Sequence, residues 1–457
     1  MYFYILLIQI AAFFGHRKAR LMVEGQKQLH LGSQHIDGKH TSGKHIDGQH
    51  TDGKHIDGQH TGGTQLTVNG KEIAKGAVWI HVSSVGEFEQ ARPLIERLRK
   101  EQPQRKIVLT FFSPSGYELR KNYELVDAVL YLPFAIKKNA QAFIEALQPQ
   151  MAIFVKYEFW PAYLRELKKR GIPTYSISAI FRPGQLFFKP WGKWYLKLLH
   201  CFTHIYVQDE ASQALLQQHG IGHCSVAGDT RFDRVYKLSR SLASGEKKDE
   251  RLRPIDVFTQ GCERVIVAGS TWPKDEELLA RYMNVQRDQM PCTNGQTKLI
   301  LAPHEIHEEH LHFIFNLFQG RAIRYTTLTG LDPTAQRNML QHMQELVVDT
   351  IGLLSSIYYF GQVAYIGGGF GAGIHNTIEA AVYGMPVIFG PNYHHFREAK
   401  GLIAAEAGYS IRNSRELEQA LDTALAHHAE AGARAASYVQ SELGATDKIY
   451  KELFNTK

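Results

Sequence analysis

From about residue 64 onward the chain alternates between two hydrophobic rhythms. In the first half the runs AVWIHVSS, RKIVLTFFS, DAVLYLP, MAIFVKYEFW, IPTYSISAI and HIYVQDE are short, β-rich and nearly continuous in apolar residues, as strands buried in a parallel sheet are. Between the first two, Ala91, Leu94, Ile95 and Leu98 recur at helical spacing, with Arg and Lys on the other face. The second half repeats the scheme with RVIVAGST, TKLILAPHE, ELVVDTIG, VAYIGGGF and MPVIFGP. Alternating strands and helices predict an α/β chain of two Rossmann-like doubly wound domains, expected to face each other across a central cleft. The polar segment Leu238 to Asp256 is the natural junction. The first domain is then expected over 64–240 and the second over 255–435, with 436–457 a terminal helix packing back on the first.

The start of the chain follows neither rhythm. Tyr2 to Gly15 is almost wholly apolar and is followed by the basic stretch HRKAR. It is shorter than the roughly 20 residues of a spanning helix, and basic residues after an apolar segment tend to stay cytoplasmic. Residues 1–24 therefore read as a membrane anchor or interfacial helix, with a buried helix of the first domain as the alternative. From His35 a unit H-[IT]-x-G-x repeats six times, so 25–63 reads as a disordered linker. Histidines in a repeat of that kind impose no ligand geometry, and no metal site is expected there.

Composition narrows the choices a little. With 44% hydrophobic and 21% charged residues the chain is globular, and its net charge of +7 suits an anionic partner. Nucleic acid is disfavoured, since the charge is modest and no recognised binding motif occurs. Cys201, Cys224, Cys262 and Cys292 are far apart and suggest neither a zinc site nor a disulfide framework. The stretch FFKPWGKWYLKLL mixes lysines with aromatic residues, which fits either a membrane face or a core helix with snorkelling lysines.

Ligands of open α/β sheets sit beyond the carboxyl ends of the strands, and the conspicuous polar residues fall there. SSVGEF carries Ser84, Gly86 and Glu87 at a strand-to-helix turn, where the helix dipole holds an acid ionised, ready to deprotonate an alcohol. An acid in a first helical turn is equally an ordinary cap. Lys156, Glu158 and Trp160 in VKYEFWP are expected to alternate along one strand and share a face, with Glu158 either lining a polar site or bound to Lys156 or another neighbour. In the second half, Ser270 and Thr271 in GSTW could hold a phosphate or cap a helix. The glycine-rich loop with Gly368 leads to a helix expected from about Asn376 to Tyr383, whose residues Asn376 and Glu379 could bind a ribose or form a capping box. His304 and His307 invite a metal, but a neutral role near phosphate, or plain surface exposure, is favoured.

Together HVSSVGEFEQARPLI, KYEFWP, GDTRFD, GSTW, LAPHE, VVDTIGLLSSIYYFGQVAYIGGGF, HNTIEAA and PVIFGPNYHHFREA resemble the 3-deoxy-D-manno-oct-2-ulosonic acid (Kdo) transferases of lipopolysaccharide synthesis, in order from about Ala77 to the C-terminus. The resemblance implies a GT-B fold and an inverting, metal-free and cofactor-free transfer from CMP-Kdo to a lipid A precursor, at the cytoplasmic face of the inner membrane. It also implies Glu87 as general base, Glu158 as a supporting acid, and Ser270, Thr271, His304, Gly352, Asn376 and Glu379 on the donor side. Ser84, Gly86, Lys156, Arg231 and Gly368 complete the candidate substrate-binding set. Arg231 stands where the family often has lysine, and His304 where many relatives have arginine. The His/Gly repeat is foreign to the family. The rival readings are a UDP-sugar-dependent transferase or nucleotide-sugar epimerase, and a non-catalytic membrane-bound binding protein.

Overall fold

The computed structural model describes residues 19–23, 30–31, 66–68, 71–72, 75–245, 249–289, 297–340 and 342–455. The His/Gly repeat and the apolar start, Tyr2 to Gly15, lie outside them. The chain divides into two compact units, one running to Thr230 and resuming at Gly444, the other Arg231–Leu443. Among the described residues no helix is long and apolar enough to cross a membrane.

The first unit begins with three short antiparallel strands, β1 (His30–Leu31), β2 (Leu66–Val68) and β3 (Lys71–Glu72). The span expected as linker thus contributes one strand. The main sheet comprises β4 (Val78–Val82), β5 (Ile107–Phe111), β6 (Ala128–Tyr131), β7 (Met151–Val155), β8 (Thr174–Ala179), β9 (His204–Val207) and β10 (Cys224–Val226). Its order is β10-β9-β8-β7-β4-β5-β6, with every pairing parallel. Chain order reverses between neighbours β4 and β7, so the loops after them diverge to opposite faces and leave a crevice at the strand ends.

Helix α1 (Val85–Glu101) buries Phe88, Ala91, Leu94, Ile95 and Leu98 against Ile80, Val82 and Leu109, each large aliphatic contributing about 1.5–3 kcal/mol. On the opposite face α2 (Lys137–Leu147) and α3 (Pro161–Lys169) enclose Trp79, whose ring meets Phe143, Phe154 and Tyr163 edge-on at 5.1, 5.3 and 5.5 Å.

The second unit holds β11 (Val265–Thr271), β12 (Lys298–Pro303), β13 (Ala322–Arg324), β14 (Glu345–Val347), β15 (Val363–Ile366), β16 (Val387–Phe389) and β17 (Gly408–Ser410). Their order is β13-β14-β12-β11-β15-β16-β17, again parallel, with the reversal between β11 and β15. Strands β10, β13 and β17 sit at or near sheet edges and have three residues each, too few to show a hydrophobic period.

Three boundaries differ from expectation. The junction does not fall in the polar segment 238–256: the units divide between Thr230 and Arg231, ahead of it, and exposed Arg240, Arg253 and Asp256 belong to the solvated faces of Thr230–Ala243 and Arg253–Thr259. The return to the first unit comes at Gly444, not 436. Ala435 and Val439 belong to the second unit's core, whereas Ile449, Tyr450 and Leu453 of the terminal helix Ala445–Phe454 join that of α1. Gly444 itself has φ +104, a turn other residues resist. Finally, β7 stops at Val155 and Lys156 is left-handed (φ +64), so Lys156, Glu158 and Trp160 do not alternate along a strand.

Candidate active site

In the first unit, Glu87 occupies the third position of α1 and is partly exposed. Its Oε2 accepts the backbone N–H of Ser84 at 2.9 Å, and the Ser84 hydroxyl donates to the same oxygen. Ser84 and Glu87 therefore do form a capping box. The cap does not hide the acid: it orients the carboxylate at a strand end, beside exposed Gly86, where a bound hydroxyl could reach it.

Glu158 lies after β7, next to β4 in the sheet, and is 9% exposed. Its partner is not Lys156. Oε2 accepts the Trp160 indole N–H at 2.6 Å and lies 3.2 Å from Nε2 of His81, a fully buried β4 residue. His81 Nδ1 is 2.8 Å from the Thr110 hydroxyl, which accepts the Trp79 indole N–H at 2.9 Å. One proton order satisfies all of them: Trp79 donates to Thr110, Thr110 to His81 Nδ1, and His81 Nε2 to Glu158. This connected network anchors the acid without a cation. Lys156 is half-buried, with its ammonium 5.4 Å from the Tyr157 ring centroid.

In the second unit, β11 ends in a bulge with Ser270 left-handed (φ +54). Thr271 is fully buried and donates its hydroxyl to Glu276 at 2.9 Å, so its side chain faces inward. The loop after β15 passes so near that a Cβ on Gly367 would lie 2.3 Å from the Ser270 carbonyl. Gly368 has φ +90, and a Cβ there would lie 2.5 Å from the Gly373 carbonyl. Helix α4 (Pro273–Gln289) holds these loops with two buried acids. Asp275 accepts from Trp272 N–H at 3.0 Å, Gly368 N–H at 2.9 Å and the Tyr365 hydroxyl at 2.7 Å. Glu276 meets His310 Nε2 at 2.8 Å. Since His310 Nδ1 faces the Glu305 carbonyl at 2.9 Å and must donate to it, the Glu276–His310 contact needs a further shared proton. Burial raises both carboxyls above their usual range, against the pull of these donors.

His304 is exposed, and its ring centroid lies 4.6 Å from that of Trp272, on which it stacks, and 4.6 Å from that of His375, to which it is tilted. The Trp272 indole donates to His375 Nε2 at 3.2 Å, which requires that nitrogen to be unprotonated. Burial, then the nearby His304, pushes His375 down to about 4. Between about pH 6.5 and 4 the unfolded chain therefore takes up a proton that the native one refuses, so stability falls on acidification through this window. His375→Gln, which can still accept from the indole, is expected to flatten that part of the Tm–pH curve. An unchanged slope would show that His375 does not contribute.

The helix expected over Asn376–Tyr383 is only Ile378–Ala381. Asn376 precedes it, accepting from Ile378 N–H at 3.1 Å and donating its amide to Glu379 at 2.9 Å; this is a side-chain pair and not the expected capping box, since the N-cap position is Thr377. Gly352 is exposed with φ +92. Arg231 bonds Glu398 at 3.2 Å within the second unit. Glu305, His307 and His310 bring potential metal ligands within 4.8 Å of one another. His310 uses both ring nitrogens as described, and His307 caps Glu308–Leu317 by accepting from His310 N–H at 3.2 Å.

Sequence reasoning missed His81, Asp275 and His375 as members of these sites. A histidine inside the apolar run VWIHV was the available signal for the first; Asp275 and His375 resembled ordinary helix-start and loop residues.

Residues 58–234 match the family model described as 3-deoxy-D-manno-octulosonic-acid transferase (kdotransferase). The 3-deoxy-D-manno-octulosonic acid transferase of Aquifex aeolicus (strain VF5) is 26% identical over 346 residues, 75% of this chain and 84% of that protein. The protein of that name from Chlamydia trachomatis serovar A is 28% identical over 354 residues, covering 76% and 77%. Among solved structures, UDP-GlcNAc 2-epimerase from Neisseria meningitidis bound to UDP-GlcNAc aligns with a TM-score of 0.60 at 13% identity, over 83% of this chain and 100% of that one. At that identity the likeness concerns the fold alone, the GT-B type with its two parallel-sheet α/β domains. The family match, the relatives and the motifs agree in what this chain is similar to, the Kdo transferases, a family of glycosyltransferases.

Proposed function

We propose that this chain transfers Kdo from CMP-Kdo to a lipid A precursor with inversion, Glu87 serving as general base. The observation that carries the reading is the position of Glu87 at the reversal point of a sheet, half-exposed and oriented by Ser84, in a chain similar to proteins named Kdo transferases. The acceptor hydroxyl attacks the anomeric carbon of Kdo and gives its proton to the Glu87 carboxylate. The bond from that carbon to phosphate oxygen breaks, and CMP leaves with the electron pair. Glu158 holds the indole of Trp160 and the ring of His81 in place beside this reaction. In the second unit the backbone around Ser270 and Gly368, with His304, receives the CMP phosphate, and Asn376 and Glu379 receive the ribose. Neither metal nor cofactor takes part in this scheme.

The same reading puts the protein at the cytoplasmic face of the inner membrane. It is supported by the apolar start and by Trp191 and Trp194, which are 70% and 53% exposed among Lys189, Lys193 and Lys197. Phe187, Leu198 and Leu199 of that stretch are buried, so it is a core segment on one side and an aromatic, basic surface on the other.

Incubation with CMP-Kdo and lipid A precursor, followed by mass spectrometry, is expected to show the lipid heavier by Kdo. CMP at a hundredfold excess over its Kd should stabilise the protein by about 2.7 kcal/mol. Protection by UDP but not CMP would move the reading to a UDP-sugar enzyme, and no product at all would favour a binding protein. Sedimentation with phosphatidylglycerol vesicles tests the surface: W191A/W194A pelleting as well as the parent would refute it.

A further inference from the structure

In the first unit a cavity of about 670 Å³ opens between the start of α2 and the length of α3. Ala135, Ile136, Pro161 and Ala162 form its apolar wall, and Lys137, Arg165 and Lys169 its charged rim. Arg165 and Lys169 stand four apart on α3 and so share one face, while Lys137 comes from the first turn of α2. One acid also lines the cavity, Glu166; its carboxylate accepts from Arg170, outside the lining, at 2.7 Å and from Gln141, another lining residue, at 3.5 Å, so three cations face one acid that is already paired. The rim is therefore cationic.

Two features tie the cavity to the rest of the unit. Helix α3 begins immediately after Trp160, whose indole is bonded to Glu158, so one loop serves both the cavity and the candidate site. On the other side Phe134, adjoining Ala135, packs against Ala19, Met22 and Val23, which follow the apolar start of the chain.

We propose that this cavity binds a phosphorylated amphiphile, its phosphate on Lys137, Arg165 and Lys169 and the beginning of its hydrocarbon against Ile136, Pro161 and Ala162. A wholly apolar ligand would leave the cations of the rim without a counter-charge. A bare phosphate would leave the apolar wall unused. A nucleic acid would find no aromatic ring for its bases among the lining residues. The phosphate chemistry comes from the cavity itself; only the possibility that the amphiphile is the sugar acceptor rests on the proposed transferase reading.

The test is calorimetric titration of the full chain with decyl phosphate, with inorganic phosphate and decanol as controls. Affinity for decyl phosphate is expected to fall at least about tenfold both in K137A/R165A/K169A and in A162W, which fills the cavity without touching a charge, a change of about 1.4 kcal/mol. Retained Tm shows that the variants fold. Decyl phosphate binding at parental strength in both variants overturns the proposal, as does inorganic phosphate or decanol binding as tightly as decyl phosphate. Two further arms identify the source. A rise in KM for the lipid A precursor in the triple variant assigns the site to the acceptor, and weakened pelleting with phosphatidylglycerol vesicles assigns it to membrane lipid; no change in either overturns it. If the parent binds decyl phosphate through these residues yet transfers no Kdo, the transferase reading fails and the site stands.

Discussion

Glu87→Gln is expected to slow Kdo transfer by about 10²–10⁴-fold, the usual contribution of a positioned general base. The substitution separates the residue's two jobs. A glutamine oxygen can still accept the Ser84 N–H, so the cap persists and only the helix-dipole interaction of the charge is lost, about 0.3–1 kcal/mol. Folding and nucleotide protection should therefore survive while kcat collapses and KM changes little, since proton removal matters in the transition state and not in binding. A variant that transfers Kdo at the parental rate would remove Glu87 from the chemistry. One that simply unfolds would show that the charge of Glu87 at the helix start is needed for folding.

The second large effect is expected at Asp275. Asp275→Ala strands the Trp272 and Gly368 N–H groups and the Tyr365 hydroxyl, each buried donor costing about 1–3 kcal/mol, so a loss of about 3 kcal/mol or more is expected in urea unfolding. Because Gly368 opens the glycine loop that is proposed to receive CMP phosphate, KM for CMP-Kdo should rise as well. Asp275→Asn supplies the control. Its carbonyl can take the place of Oδ2 and accept both backbone groups, while its amide donates to the Tyr365 oxygen. Stability is thus expected to rank parent, then D275N, then D275A. Equal stability of D275A and parent would mean that the loops are held by other contacts.

Much of the architecture was legible because buried parallel strands write themselves as apolar runs. β4, β5, β8, β11 and β12 fall inside the segments the pattern selected, and Ala91, Leu94, Ile95 and Leu98 of α1 are all fully buried. Glu87 was legible too, since a strand-to-helix turn is a local feature. Where local reasoning failed, it failed for an identifiable cause. KYEFW looked like a continued strand because its alternation is right, yet the left-handed turn at Lys156 ends β7 and redirects Glu158. The second-unit helix looked longer than Ile378–Ala381 because residues compatible with a helix need not form one where a glycine loop dictates the approach.

By itself, the sequence determined the fold class, the alternation of strands and helices, and the strand ends at which chemistry could occur, because each depends on hydrophobic period and turn residues within a short window. Only the tertiary structure decided which polar groups meet. His81 reaches Glu158 from 77 positions away, and Asp275 reaches Gly368 from 93. Those pairings follow from sheet order, which sets β4 beside β7 and β11 beside β15, and no local pattern encodes which distant strand becomes a neighbour.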